Sequence, residues 1–537
     1  MATKIESKVR PLPSPPRAAG RGLGTGWRIP LLTGLALAVV TTLPYLYGYL
    51  AQPHGQVFMG FFYLGDDANT YLAKMRQGFE GAWAWTNRYT TESSPSAYLF
   101  MFWIVLGHIA AITHLPLVAV FQLARVAGAF ALAAAGWFCV DHFISDRTVK
   151  RFAFFFLMFG LGMGYVIQAL GHPVILGHQT DTLDWRMPEL TAFYSILALP
   201  HFAWSGVFAA LGIALTLKAV QRGDLRLGAL AGLAWLGQAS IHPQMPILMG
   251  GATFVAMLVR PPASRGGWAA AALAFAIPAP YILYSYFAFV GNPEVQRWTF
   301  HSKNSLPPEG FSFLFAIAPQ LILAAIGLPG AIRRRTREDV FLVAWLVLLA
   351  AILYLPNPAG DLRRRFLDAL YIPLVILGAR GMYDVILPRL GNSVRARALV
   401  PFSYVTFAAI GSAFLVLAPL LVATQSQYVM AQPAYDGLVW LGNEPQGRVL
   451  SMPGIGLYVP AYSPDTVYVG HYDETFDYYT KTQTALDVLT GKQDIEQFNS
   501  ANHIRYVIWT SDLPAPPPSS LGPPAYDTPS FKVWKLY

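Results

Sequence analysis

Between residues 29 and 424 the chain passes through about a dozen apolar stretches, roughly 29–50, 97–114, 116–140, 151–170, 190–220, 225–241, 243–259, 267–290, 311–331, 339–355, 366–387 and 399–424, joined by polar linkers. About 20 apolar residues in a helix cross the hydrocarbon core of a bilayer, and inside it only a helix or a closed barrel satisfies the backbone. Most of the runs have that length and are continuously apolar rather than alternating, so the pattern predicts an α-helical polytopic membrane protein with about 11–13 transmembrane helices. Composition agrees: 54% of the residues are hydrophobic and only 12% charged, too little charge to cover the surface of a water-soluble globule.

The linkers set the sidedness. VQRGDLR, RPPASRGG, RRRTRED and PRLGNSVRAR are basic and fall at alternate turns from residue 220 onward, which places them in the cytoplasm. Residues 1–28 carry six basic residues against one acid and are rich in Pro and Gly, the make-up of a disordered cytoplasmic tail. The net charge of +9 is therefore a topological signal and not one for nucleic acid. The first apolar run is long enough to stay as a span rather than be cleaved as a signal peptide. The chain is expected in the plasma membrane, multi-pass, with the 51–96 loop on the outer side. Between 97 and 220 the count is open by one: either a segment is re-entrant, or DRTVKR (146–151) is outside and the 190–220 stretch, broken at Leu199-Pro200-His201, crosses twice. Cys139 lies in an apolar run, so there is neither a disulfide framework nor a cysteine metal site.

Within the first outer loop, residues 65–96 form a polar island. Asp66 and Asp67 follow an aromatic run, and Ala68, Tyr71, Leu72, Met75 and Phe79 then recur at the spacing of a short amphipathic helix. Trp83, Trp85 and Tyr89, interleaved with Lys74, Arg76 and Arg88, suit a segment lying at a membrane surface. Two readings of the aspartates stand side by side: a helix cap with a favourable dipole position, or carboxylates poised for chemistry where membrane meets water.

Arg363, Arg364 and Arg365 fall in PNPAGDLRRRF (356–366), on the outer side, against the positive-inside preference. Arginine's planar fork suits a phosphate, so the three read as a clamp, with Lys303 and Arg88 as further cations; pairing with Asp361 and Asp368 or with lipid headgroups is the alternative. His201 and His242 each stand beside a proline at an apolar boundary, a place where a satisfied helix-end histidine is commoner than a ligand. Asp181 and Asp184 in the 171–189 loop join Asp66 and Asp67 as oxygen donors for a divalent cation such as Mg2+ or Mn2+, though no spacing demands one.

After residue 424 the make-up changes: residues 425–537 hold eleven acids and six bases. RVLSMP, TVYVG, RYVIWTS and the closing FKVWKLY read as strands, while ALDVLT and DIEQFNSA read as helices, so 425–537 is expected to be a small extracytoplasmic α/β domain.

This order of parts resembles the GT-C superfamily of polytopic membrane glycosyltransferases. The residues that carry the resemblance are Gly65-Asp66-Asp67 with Tyr71, Arg364-Arg365-Phe366 before the IPL of a late span, and GHYDETFDYYTK (470–481), which is similar to the tail of many bacterial proteins of that superfamily. The resemblance implies an inverting transfer of a hexosyl or pentosyl unit from a polyprenyl-phosphate-linked donor to an extracytoplasmic glycan, lipid or protein acceptor, in contact with membrane lipids. It implies an acidic residue of the first outer loop as general base, Asp66 ahead of Asp67, with cations on the leaving phosphate and, in some members, a divalent metal. Tyr71, His201 and His242 are then candidates for binding substrate. A transporter or lipid flippase would also use a dozen spans with polar helix ends, but internal repeats are not evident. A non-catalytic assembly protein is the third reading.

Overall fold

The computed structural model describes residues 26–290, 306–356, 360–391 and 393–537. Every one of the apolar stretches is helical, as one helix or as two in succession. Six helices are long and apolar enough to cross a membrane, seven if the pair Gly310–Ala316 and Ala318–Arg334, bent by 89°, is one span. The sequence expectation of about a dozen spans exceeds this for a local reason. Met101–Thr113, Arg147–Phe159, Leu225–Ala239 and Gln244–Val259 have 13, 13, 15 and 16 residues, about 20–24 Å at 1.5 Å per residue, and the 18-residue Arg337–Tyr354 opens on three charges. The 190–220 stretch breaks at Leu199, leaving the six-residue helix Ala192–Leu197 before Pro200–Arg222, so it does not cross twice.

Small residues bring the long helices together. Leu117–Phe143 packs between Arg28–Ala51 and Pro200–Arg222, and a Cβ added at Gly34, Gly128 or Gly206 would touch the neighbouring helix within about 3 Å. Between the first two of these helices lies Arg125, fully buried and with no acidic partner among the described residues: it donates to Thr41 and Thr42 hydroxyls at 2.7 and 2.9 Å and to Gln122 Oε1 at 2.7 Å, with its guanidinium over Tyr45. Leu31, Leu35, Leu43, Leu46 and Leu50 remain exposed on the first helix, the side chains a lipid solvent accepts.

The linkers RPPASRGG and RRRTRED meet: Arg260 Nε donates to Arg335 O at 2.6 Å and Arg337 Nε to Arg260 O at 3.0 Å. From there the 18-residue helix Arg337–Tyr354 carries the chain to the segment with Arg363–Arg365 at its far end. That end holds the polar island. Its helix, Gly65–Phe79, begins after Leu64 in the left-handed region and crosses Met101–Thr113 closely, since a Cβ at Gly107 would lie 2.0 Å from Met75 O.

The C-terminal region forms a five-stranded sheet in the order Thr466–Val467, Arg448–Leu450, Tyr506–Thr510, Phe531–Lys535, Tyr526–Asp527, the first two pairings parallel and the last two antiparallel. Alternation along Tyr506–Thr510 sends Tyr506 and Ile508 toward helix Gln432–Leu441, and Val507 and Trp509 toward Tyr478–Leu489 and Ile495–Asn502. The strands and helices read from the sequence are thus present. The sheet region is tied to the first loop by strand Gln56–Phe58 pairing with Val429–Ala431, and by Val467 N donating to Arg88 O at 2.9 Å.

Candidate functional site

A cavity of about 170 Å³ opens where the polar island, the helix ends and the C-terminal region converge. Helix Gly65–Phe79 supplies Asp67, Tyr71 and Lys74 to it; Pro200–Arg222 supplies His201 from its first turn; and the corner before Gln244–Val259 supplies His242. Arg365 comes from the 3₁₀ segment Gly360–Leu367, while His471, Asp473 and Glu474 come from the C-terminal region.

Asp67 occupies the first turn of its helix, and Leu64 rather than either aspartate is the N-cap, with no side-chain capping bond. The capping role considered for Asp66 and Asp67 is therefore absent; what remains of it is a favourable position at the positive end of the helix dipole. The two neighbours diverge as adjacent helical positions must: Asp66 is exposed and does not line the cavity, whereas Asp67 is half-buried and does. The Asp67 carboxylate makes no hydrogen bond among the described residues, and its backbone carbonyl accepts from the Thr70 hydroxyl at 2.9 Å. Burial raises its carboxyl above the ordinary carboxylate range, and His471, Arg365, Lys74 and Arg364 act against that shift.

One wall is aromatic. Tyr71 stacks on Trp103 with ring centres 4.4 Å apart, and His201 lies against both, 4.8 Å from Tyr71 and 5.2 Å from Trp103. Continuing along this wall, the His201 and His242 rings are 5.8 Å apart. Lys74 Nζ forms a buried ion pair with Glu474 Oε1 at 2.6 Å, and Asn87 Nδ2 donates to Glu474 O at 2.8 Å, which holds the 470–481 segment against the first loop.

The other residues named from the sequence are spread apart. The three arginines diverge: Arg365 lines the cavity and forms no ion pair among the described residues, Arg364 Nε pairs with buried Glu189 at 2.8 Å, and Arg363 Nη1 donates to Leu353 O at 3.2 Å. Asp368 pairs with His242 and, among the described residues, with no arginine, and the Asp361 side chain lies outside what is described. Arg88 pairs with Glu80 at 2.6 Å, away from the cavity lining, and Lys303 lies outside the described residues. Asp181 pairs with Arg186 at 2.7 Å, and Asp184 is buried with its Oδ2 accepting from Gly162 and Gly164 N–H at 3.0 and 3.1 Å. Asp66, Asp67, Asp181 and Asp184 thus do not assemble into one ligand set, and among the described residues no group of three or more His, Cys, Asp or Glu side chains is placed to hold a metal ion. Sequence reasoning missed Lys74, His471, Asp473 and Glu474. The conspicuous run GHYDETFDYYTK pointed to the segment, but a partner 400 residues away has no local signature.

No protein-family model and no curated protein matches the chain. Solved structures do. The archaeal oligosaccharyltransferase AglB from Archaeoglobus fulgidus, in complex with an inhibitory peptide and a dolichol-phosphate, superposes with a TM-score of 0.51 at 12% identity, covering 88% of this chain and 69% of that one. The arabinofuranosyltransferase AftD from Mycobacteria superposes with a TM-score of 0.50 at 15% identity, covering 89% of this chain and 35% of that one. Both are GT-C membrane glycosyltransferases, and the fold of this chain is the GT-C fold.

Proposed function

We propose that this protein is a membrane glycosyltransferase that moves a sugar from a polyprenyl-phosphate donor to an acceptor hydroxyl at the outer membrane surface, with inversion at the anomeric carbon. The observation that carries the reading is that Asp67 and Arg365, a carboxylate without a hydrogen-bond partner among the described residues and a cation without an ion pair among them, line one cavity. The GT-C fold supports it, as does the dolichol-phosphate in the AglB complex, a lipid phosphate of the proposed donor's class.

An acceptor hydroxyl is a weak nucleophile, and Asp67 takes its proton as the new bond to the anomeric carbon forms. A carboxyl raised by burial is a stronger base once ionised than an ordinary one. The bond to the donor phosphate breaks with its electron pair on the phosphate oxygen, and Arg365 meets that charge. The stacked Tyr71 and Trp103 rings offer a flat apolar wall beside these groups. No step is assigned to a metal.

The test is to incubate the purified protein with polyprenyl-phosphate hexoses and pentoses and an acceptor panel. Transfer with inverted anomeric configuration supports the reading and names the sugar. Donor-independent movement of a solute across vesicles, without transfer or hydrolysis, contradicts it.

A further inference from the structure

His242 sits at the corner Ile241-His242-Pro243 between helices Leu225–Ala239 and Gln244–Val259, and Asp368 follows directly on the segment that carries Arg365. Both are buried. His242 Nδ1 lies 2.8 Å from Asp368 Oδ2, and that oxygen also accepts from Gln238 Nε2 at 3.0 Å and from the Ser205 hydroxyl. An oxygen gathering an amide N–H and a hydroxyl is an acceptor, so the hydrogen between it and the ring belongs to Nδ1. The ring nitrogen left for the cavity is Nε2, which makes no hydrogen bond among the described residues, and His242 is part of the cavity wall.

Three side chains, Asp368, Ser205 and Gln238, from three separate segments of the chain thus fix the direction of one imidazole. Such an orienting set exceeds what a helix-end histidine needs, because the ring could have been satisfied by a single backbone carbonyl. The neighbourhood says what it faces. Arg365 stands three residues before Asp368 and lines the same cavity, so the segment that orients the imidazole also delivers a guanidinium. An imidazole nitrogen and a guanidinium lining one pocket suit a tetrahedral oxyanion.

We propose that His242 is a catalytic residue that meets the donor phosphate through Nε2, with Asp368 as its positioning residue. The inference rests on the glycosyl-transfer reading and deepens it. As the bond between the anomeric carbon and the phosphate oxygen breaks, its electron pair stays on that oxygen, which accepts a hydrogen bond from Nε2–H. His242 keeps its proton, and the acceptor's proton goes to Asp67. Lipid-linked phosphate is the committed ligand; free phosphate at the same site is distinguished by the test.

The experiment compares binding of a short-chain polyprenyl monophosphate, the polyprenol of equal length and inorganic phosphate to the full-length protein in nanodiscs. The wild type is expected to prefer the monophosphate to the polyprenol by at least tenfold and to bind inorganic phosphate weakly. His242→Gln is expected to cut that preference about tenfold while leaving polyprenol binding unchanged, the effect of losing one charge-assisted contact. Asp368→Asn, which keeps the shape and an acceptor oxygen for Ser205 and Gln238, should cut it part of the way and serves if the first variant does not fold. Full preference retained in either folded variant overturns the role of His242 and leaves the glycosyltransferase reading intact. A wild type indifferent to the phosphate overturns both. Inorganic phosphate bound as tightly as the lipid phosphate overturns the choice of ligand.

Discussion

Lys74 Nζ lies 2.6 Å from Glu474 Oε1, with both side chains buried, so a helix near the start of the chain is joined to the C-terminal region by an ion pair spanning 400 residues of sequence. The pair sits at the cavity edge beside Tyr71, and Lys74 also lies over the Phe100 ring at 4.7 Å. The C-terminal region therefore completes the site as well as covering it.

Removing one partner leaves the other charge buried and alone, whereas removing both does not. Lys74→Met is expected to destabilise by about 3 kcal/mol, and the double variant Lys74→Met with Glu474→Gln to recover much of that loss. Thermal unfolding of the two singles and the double in one detergent reads the coupling. Additive losses would show that the pair does not hold the two regions together.

The divergence of the arginines separates two kinds of loss. Arg365→Ala should raise the apparent KM for donor about tenfold or more with little change in melting temperature, since it removes a cavity-lining cation. Arg364→Ala should lower the melting temperature, because Glu189 would stay buried without its 2.8 Å partner. Donor kinetics and melting curves measured on both variants should show this crossed pattern, and identical effects on donor KM would return the two to a shared role.

Much of this arrangement was legible in the sequence, and the reason it was lies in local periodicity. The amphipathic stripe of 68–79 and the strands of 448–535 announce themselves over a few residues. Arg365 stood out by breaking a topological preference. Glu474, His471 and the Asp368 partner of His242 did not stand out, because their meaning depends on which distant segment packs against them. The expected dozen exceeds the six or seven long apolar helices because several apolar runs form helices of only 13 to 16 residues, a length that apolar composition alone does not show. Which of Asp66 and Asp67 lines the cavity depends on the rotation of one helix, which periodicity gives only to within a residue or two.

The pH dependence follows from the surroundings of Asp67. The proposed transfer needs it ionised, burial raises its carboxyl, and His471, Arg365, Lys74 and Arg364 lower it, with Asp473 and Glu474 as the acids sharing the cavity. Removing a positive neighbour favours the neutral acid, so His471→Gln should move the acid limb of kcat/KM to higher pH. A limb that stays in place or moves lower would mean that the titrating group is not Asp67.

The central claim is that Asp67, and not Asp66, is the base. Its raised carboxyl gives the stability sign: the folded state holds the proton more tightly than the unfolded one, so stability is lost as pH rises through the folded value, and at neutral pH the ionised carboxylate costs stability. Asp67→Asn removes that cost, and the variant should melt at or above the wild-type temperature while turnover falls by about a hundredfold or more. Asp66→Asn, at an exposed position off the cavity, should leave both nearly unchanged. The decisive measurement is single-turnover transfer from a polyprenyl-phosphate sugar by the two variants side by side. Loss in Asp67→Asn alone is the predicted result, and full activity in Asp67→Asn, or equal loss in both, would contradict it.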